Sequence, residues 1–341
     1  MIRTFRAARR TSCSRPPDYS NECEPHLVNP QTLMICLRAP AKLNLYLRVL
    51  GKRPDGYHEL ETLFERIDLA DELTFEASST GLQLTCDDLS AVPGTAQAGP
   101  SLSCVEDNLV LKAARLLQRE SGTQHGAIIH LTKRIPIAAG LGGGSSDAAA
   151  ALLGLNDLWS LHLEQAKLLE LAALLGSDVP FFLHETPFAI GRGRGERCEP
   201  IHTEHTLAQV LVVPDAQLST AEMYREAQFN LTASKPSISM VAHALCNGSL
   251  GELAKGLWND LEPEAIRRCP VIAFIESQLR DLGCVGVRLS GSGPSVFGLC
   301  QDPDHARHVT QRLRATSHAQ SWRLEMIQTD LSRHRVTPSI P

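Results

Sequence analysis

Pro136-Ile-Ala-Ala-Gly-Leu-Gly-Gly-Gly-Ser-Ser-Asp-Ala-Ala-Ala150 is the stretch on which the fold turns. Glycines and a Ser-Ser pair run directly into an Ala/Leu-rich segment. That order predicts a loop of bare backbone N–H groups, then a helix over about Ser146–Trp159. Such a site suits phosphate: first-turn amides have no intrahelical acceptor, the helix dipole favours an anion, and glycine admits close approach. Two common nucleotide loops are excluded. No Lys follows the glycines, as GxxxxGK[ST] requires, and the third glycine of a GxGxxG counted from Gly140 and Gly142 is Ser145. A tight turn packed on a sheet would also use these glycines. The hydroxyls of Ser145 and Ser146 favour the other reading, because they can cap a helix or reach phosphate and Mg²⁺.

Upstream, residues 36–50 alternate from Lys42 onward. Leu43, Leu45, Leu47 and Val49 share one face, and Lys42, Asn44, Tyr46 and Arg48 the other, which predicts a half-buried strand. Arg53-Pro54-Asp55-Gly56 predicts a turn. Extended stretches follow over Tyr57–Leu69, Leu73–Glu76 and Leu82–Cys86, then a loop over 87–107. Helices are predicted over Asn108–Glu120 and Glu164–Leu175, the latter closed by Gly176, with a strand at Ala127–Leu131. The second half predicts strands near Phe188–Ile190, Arg197–Ile201, Ala208–Val213, Val285–Leu289, Ser295–Cys300 and Trp322–Ile327. Its helices fall near Thr220–Phe229, Ser237–Cys246, Pro263–Leu282 and Pro303–Arg314. Strands cluster rather than alternate strictly with helices, so the class is α+β. The expected division is 34–190, 191–330 and a tail over 331–341.

With 341 residues and 43% hydrophobic content, the chain can bury one large core or two ordinary ones. A net charge of −5 argues against a nucleic-acid partner, which needs a basic surface. No apolar run approaches the ~18 residues of a membrane span. The histidines show no zinc-ligand spacing, so no metal ligands are assigned. The cysteines form no CxxC pair and read as reduced thiols of a cytoplasmic protein. Residues 1–33 begin with Arg3, Arg6, Arg9, Arg10 and Arg15 and no acid before Asp18. Organelle targeting would use such a composition. The preferred expectation is a disordered tail, or a true start at Met34.

Two further segments stand in order around the glycine loop: Pro40-Ala-Lys-Leu-Asn-Leu45 before it and Leu289-Ser-Gly-Ser-Gly-Pro-Ser295 after it. Together the three resemble the motifs of the GHMP kinases, which include galacto-, homoserine, mevalonate and phosphomevalonate kinases. The resemblance implies a GHMP kinase fold, with an N-terminal ribosomal protein S5 domain 2-like domain and a C-terminal ferredoxin-like domain. It implies ATP and Mg²⁺ as cofactors. ATP would lie along Pro136, Ile137, Ala138, Ala139, Gly140, Leu141, Gly142, Gly143, Gly144, Ser145 and Ser146. The family pattern often has Met at the position of Ile137 and Gly at Ala138 or Ala139; alanine leaves the amide donors in place.

Arg53-Pro-Asp-Gly-Tyr-His-Glu59 and Leu175-Gly-Ser-Asp-Val-Pro-Phe181 are similar to one branch of that superfamily. This branch phosphorylates the 2-hydroxyl of 4-diphosphocytidyl-2-C-methyl-D-erythritol in the non-mevalonate route to isoprenoids. The likeness runs from about Met34 to Ile327. It implies that Lys42 stabilises the substrate oxygen and the transferring phosphoryl group, and that Asp178 accepts or orients the hydroxyl proton. It implies Tyr57 and Tyr224 against the cytosine faces, His58 on its edge, and Asn44 on the phosphates or polyol. Gly291, Ser292 and Gly293 would sit near phosphates and hydroxyls. Outside that resemblance, a strand lysine is ordinarily a solvated charge, Asp178 a turn residue, and Gly291–Gly293 a hairpin turn. Homoserine or mevalonate kinases would not need Tyr57 and His58, and an inactive nucleotide-binding relative would not need Lys42, Asp178 and Ser145. The expected partner is a small cytidine diphosphate substrate, with no nucleic acid or membrane, and the chain a monomer or homodimer.

Overall fold

Strand β1, Met34–Lys52, turns through Arg53–Tyr57 into β2, His58–Ser78, and the two pair antiparallel along their length. The computed structural model describes residues 34–79, 81–91, 107–230, 234–316, 320–332 and 337–339; the expected tail 1–33 and most of the expected 87–107 loop lie outside them. Where alternation predicts a half-buried strand, β1 is covered on both faces over residues 39–47, with Lys42 3% and Asn44 2% exposed. The alternation also breaks. Asn44 is paired with Phe64 and Tyr46 with Leu63, so Leu45 is an extra residue and the strand changes phase at a bulge. The two strands expected over Tyr57–Leu69 and Leu73–Glu76 are one strand, kinked where Asp68 and Leu69 have no partner in β1.

Next come β3 (Leu82–Asp88), α1 (Leu109–Ser121), β4 (Gly126–Lys133), α2 (Gly143–Leu158) and α3 (Gln165–Leu175), then a 3-10 turn at Pro180–Leu183. Asn108 caps α1 by accepting the Val110 N–H at 2.9 Å. α2 begins three residues before the predicted start. Gly142 (φ 68°) is its N-cap, and the first helical bond runs from Ser146 N to Gly142 O at 3.0 Å. The glycines therefore form the first turn of the helix as well as the loop. Gly176 ends α3 with φ 174°, an extended conformation rather than the left-handed one a glycine stop suggests.

The chain continues through β5 (Phe188–Gly193), β6 (Arg197–Ile201), β7 (Ala208–Pro214), α4 (Thr220–Glu226), α5 (Ile238–Cys246), α6 (Leu250–Gly256) and the short β8 (Trp258–Asn259). α7 (Glu262–Arg268) and α8 (Val271–Asp281) divide the single helix predicted over Pro263–Leu282, because Pro270 cannot donate to the ladder. Then follow β9 (Gly286–Leu289), β10 (Val296–Cys300), α9 (Pro303–Arg314), β11 (Trp322–Gln328) and β12 (Thr337–Ser339). β12 lies within the expected tail and pairs with Met34–Cys36 of β1.

The first sheet has the order β12-β1-β2-β4-β3, with β5 and β6 continuing from the other half of β2. It therefore includes residues through Ile201, past the expected junction at 190. One core fills the space between this sheet and α1–α3; Ala148, Ala149, Ala150 and Ala151 are fully buried there, so α2 approaches the strands closely. The second sheet, β11-β7-β10-β9, is antiparallel, with α8 and α9 on one face. Its other face meets the first sheet through Leu211, Val213, Phe297, Leu299 and Ile67. Within that seam Glu65 accepts hydrogen bonds from Gln209 Nε2 (2.6 Å) and Thr329 Oγ1 (2.7 Å), a buried polar tie between the sheets.

Candidate active site

A cavity of about 1110 Å³ runs from the glycine loop to the β1–β2 turn. All of Pro136–Ser145 line it, as do Lys42, Asn44, Tyr57, His58, Asp178, Tyr224, Gly291 and Ser292. Two expected residues do not. Ser146 is fully buried with an unpartnered Oγ, because the early start of α2 turns it inward. Gly293 faces Leu289 and Leu218 instead of the cavity.

At the reacting end, the Lys42 ammonium lies 3.7 Å from the Asp178 carboxylate. It donates to Gly140 O at 3.0 Å and to Asn44 Oδ1. Burial pulls Lys42 below the ordinary lysine range, and the Asp178 charge offsets part of that. Asn44 Nδ2 donates to Thr62 Oγ1 at 2.7 Å, and Thr62 Oγ1 donates to Tyr46 O at 2.7 Å. Thr62 thus fixes which way the Asn44 amide points; a lone threonine within a strand gives no sequence signal of that role. Asp178 sits in the turn after α3, one-third exposed and open to the cavity.

The loops converge on one atom. Gly140 O accepts from both Lys42 Nζ and Ser290 Oγ (3.0 Å each), and Lys42 N donates to Leu141 O at 2.9 Å. Asn259, on β8, holds the other side by donating to Leu289 O (2.9 Å) and Gly291 O (2.8 Å). No acidic residue occupies the first turn of α2, so its dipole is left for an external anion. Beneath that turn Lys133 bridges Asp71 and Asp147. Burial and the neighbouring Asp71 push Asp147 up to about 7 despite the Lys133 charge. Lys133 and Asp147 line the cavity and were missed by motif reasoning, since they fall just outside the glycines.

At the far end His58 stacks on Tyr224 (5.4 Å between centroids, 27°) and meets Phe229 edge-on at 5.3 Å. Burial, then the Lys52 charge, hold His58 below its usual range, so its ring is neutral near pH 7. Tyr57 is 54% exposed, with the Arg194 guanidinium 4.9 Å above its ring. Arg194 and Gly195 also line the cavity, near Asp178 and Tyr57. Among the described residues there is no group of three or more His, Cys, Asp or Glu able to hold a metal ion. No described helix is long and apolar enough to cross a membrane.

The family pattern for GHMP kinases N terminal domain matches residues 108–186, and that for GHMP kinases C terminal matches residues 241–319. A 4-diphosphocytidyl-2-C-methyl-D-erythritol kinase of Pelotomaculum thermopropionicum is 43% identical over 285 residues, covering 83% of this chain and 95% of that one. One from Geobacter sp. (strain M21) is 40% identical over 281 residues, covering 82% and 94%. A crystal structure of 4-(cytidine 5'-diphospho)-2C-methyl-D-erythritol kinase superposes with TM-score 0.70 at 37% identity, covering 86% and 99%. Homoserine kinase from Cytophaga hutchinsonii shares the fold, with TM-score 0.67 at 18% identity over 89% and 97%.

Proposed function

Because the chain belongs to the 4-diphosphocytidyl-2-C-methyl-D-erythritol kinase family of GHMP kinases, we propose that Lys42 and Asp178 carry phosphoryl transfer from ATP to the 2-hydroxyl of that cytidyl substrate. The protein is an ATP-dependent kinase acting on an alcohol group. The observation that carries the assignment of roles is the Lys42–Asp178 pair at 3.7 Å, in a cavity joining the glycine loop to Tyr57, His58 and Tyr224.

The amides of Gly143, Gly144 and Ser145 open α2 without intrahelical acceptors and receive phosphate oxygens of ATP. Asp178 orients the acceptor hydroxyl and takes its proton. Lys42, held by Asn44 and Gly140 O, offsets the charge that grows on the acceptor and transferring oxygens. His58 presents a neutral ring edge to cytosine, and Tyr57 and Tyr224 supply aromatic faces. Asn44, Gly291 and Ser292 contact the polyol and phosphates.

The donor set suits Mg²⁺ held mostly by nucleotide phosphates, which needs only one or two protein oxygens. Ser145 Oγ, in the cavity, is the residue offered for it, while Ser146 is turned inward. When bound, the ion neutralises phosphate charge. ADP release should depend on both ATP and the cytidyl substrate, and CDP should compete with the latter. Asp178→Asn should lower kcat by at least ~10². Phosphorylation of homoserine with no competition by CDP would overturn the substrate; full activity of Asp178→Asn would overturn the role of Asp178.

A further inference from the structure

Helix α4 carries Tyr224 into the cavity but has little core of its own. Met223 is its one buried side chain, and its N-terminus is tied to the Gly291–Ser292 segment by Thr220 Oγ1 and Ser292 Oγ at 2.8 Å. Its other face is held from α7. Glu222 and Glu226, one turn apart on α4, both accept from the Arg268 guanidinium, Glu222 Oε2 from Nη1 at 3.2 Å and Glu226 Oε2 from Nη2. The third edge of that guanidinium, Nε, donates to Glu264 Oε1 at 2.7 Å within α7. Arg267 donates to both Glu264 oxygens, at 2.6 and 2.8 Å. The two arginines pull Glu264 down to about 2, so it stays charged at any working pH. Arg268 is 19% exposed and does not line the cavity.

We propose that Arg268 is a positioning residue for the acceptor substrate: by clamping Glu222 and Glu226 it fixes α4 and holds the Tyr224 ring against His58. The inference rests on the reading of Tyr224 as an aromatic face of the base site. One guanidinium bonded to three carboxylates on two helices differs from a lone surface pair, whose worth is small, because each of its three nitrogens donates to a different carboxylate. Loss of the clamp frees α4 to move Tyr224 without touching Lys42, Asp178 or the glycine loop. Substrate affinity therefore changes while the chemical step and ATP binding do not.

The test is steady-state kinetics of Arg268→Met, Arg268→Lys and Tyr224→Leu, with KM for the cytidyl substrate, KM for ATP, kcat and Tm measured for each. Arg268→Met should raise KM for the cytidyl substrate by about five- to tenfold, within the range of remote coupling effects, with kcat and KM for ATP unchanged. Arg268→Lys should recover part of the loss. Adding Arg268→Met to Tyr224→Leu should produce no further rise. Should Arg268→Met not fold, Glu222→Ala with Glu226→Ala removes the same contacts from two half-exposed positions and should give the same KM shift. An unchanged substrate KM in Arg268→Met, or a parallel loss in kcat and both KM values, overturns the proposal. If Tyr224→Leu itself leaves the substrate KM unchanged, it is the reading of the base site that fails.

Discussion

Lys42 and Asp178 form an ion pair of unequal exposure: the lysine side chain is 4% exposed and the aspartate side chain 33%. The cation is held by protein atoms on several sides, while the anion keeps a free edge toward the cavity. That asymmetry suits a fixed positive charge beside a carboxylate that can exchange a proton with a bound hydroxyl.

The buried ammonium has a pH signature. Because burial lowers its pKa, Lys42 loses its proton below the ordinary lysine value of 10.5. kcat should therefore fall with rising pH on a basic limb centred below that value. Lys42→Met should lower kcat by about 10²–10³, as loss of one preorganised charge donor does. It should also abolish the limb. A pH–rate profile for both proteins checks this; a limb that persists in Lys42→Met belongs to another group.

Glu65 gives stability the opposite slope from a salt-bridged carboxylate. Burial raises it from 4.5 to about 7, so the folded state binds its proton more tightly than the unfolded state does. The stabilisation is fully present below pH 4.5 and is lost as pH rises through 7, a change on the order of 3 kcal/mol. Asp147 titrates in the same window, so the informative quantity is the difference between wild type and Glu65→Gln. Glu65→Gln should gain stability relative to wild type as pH goes from about 5 to 8. Denaturant midpoints across that range measure it, and a constant difference would show that Glu65 does not titrate there.

The loop before α2 holds an opposed pair of backbone positions. Gly142 has φ 68°, and a Cβ there would stand 2.9 Å from Lys42 Cγ and 3.1 Å from Phe182 Cζ. Ala138 has φ 52° with a side chain already present. Gly142→Ala should cost ~1–2 kcal/mol of stability and more than tenfold in kcat, by displacing Lys42. Ala138→Gly should be neutral to stabilising by ~0.5–1 kcal/mol, since relief of the left-handed strain exceeds the entropy glycine adds to the unfolded chain. Thermal unfolding and kcat of the two variants decide; equal effects would mean that backbone conformation is not the cause.

The glycine loop was legible as a local pattern of residue types, whereas Lys42, Asp178, Tyr57, His58 and Tyr224 stood out only through the family resemblance. α9 falls on its predicted bounds, with Pro303 at its start and Asp302 capping it. What escaped depends on tertiary position. Leu45 looks like any other alternating leucine, yet it is the extra residue of the bulge. Nothing in the sequence around Arg268 marks it, and only the packing of α7 beside α4 brings it to Glu222 and Glu226. Ser145 and Ser146 could not be told apart until the start of α2 decided which one faces the cavity.

The bulge at Leu45 has a consequence for how a long substrate enters. Before it, β1 offers the cavity Lys42 and Asn44; after it, the change of phase offers Leu47, with Lys52 at the strand's end. One strand is thus hydrophilic where charge must be handled and oily beside Tyr224 and Phe229. On the proposed reading, the polar stretch suits the phosphates and polyol of the substrate, and Leu47 suits its ring end. One register shift thus gives a single strand two chemistries along its length.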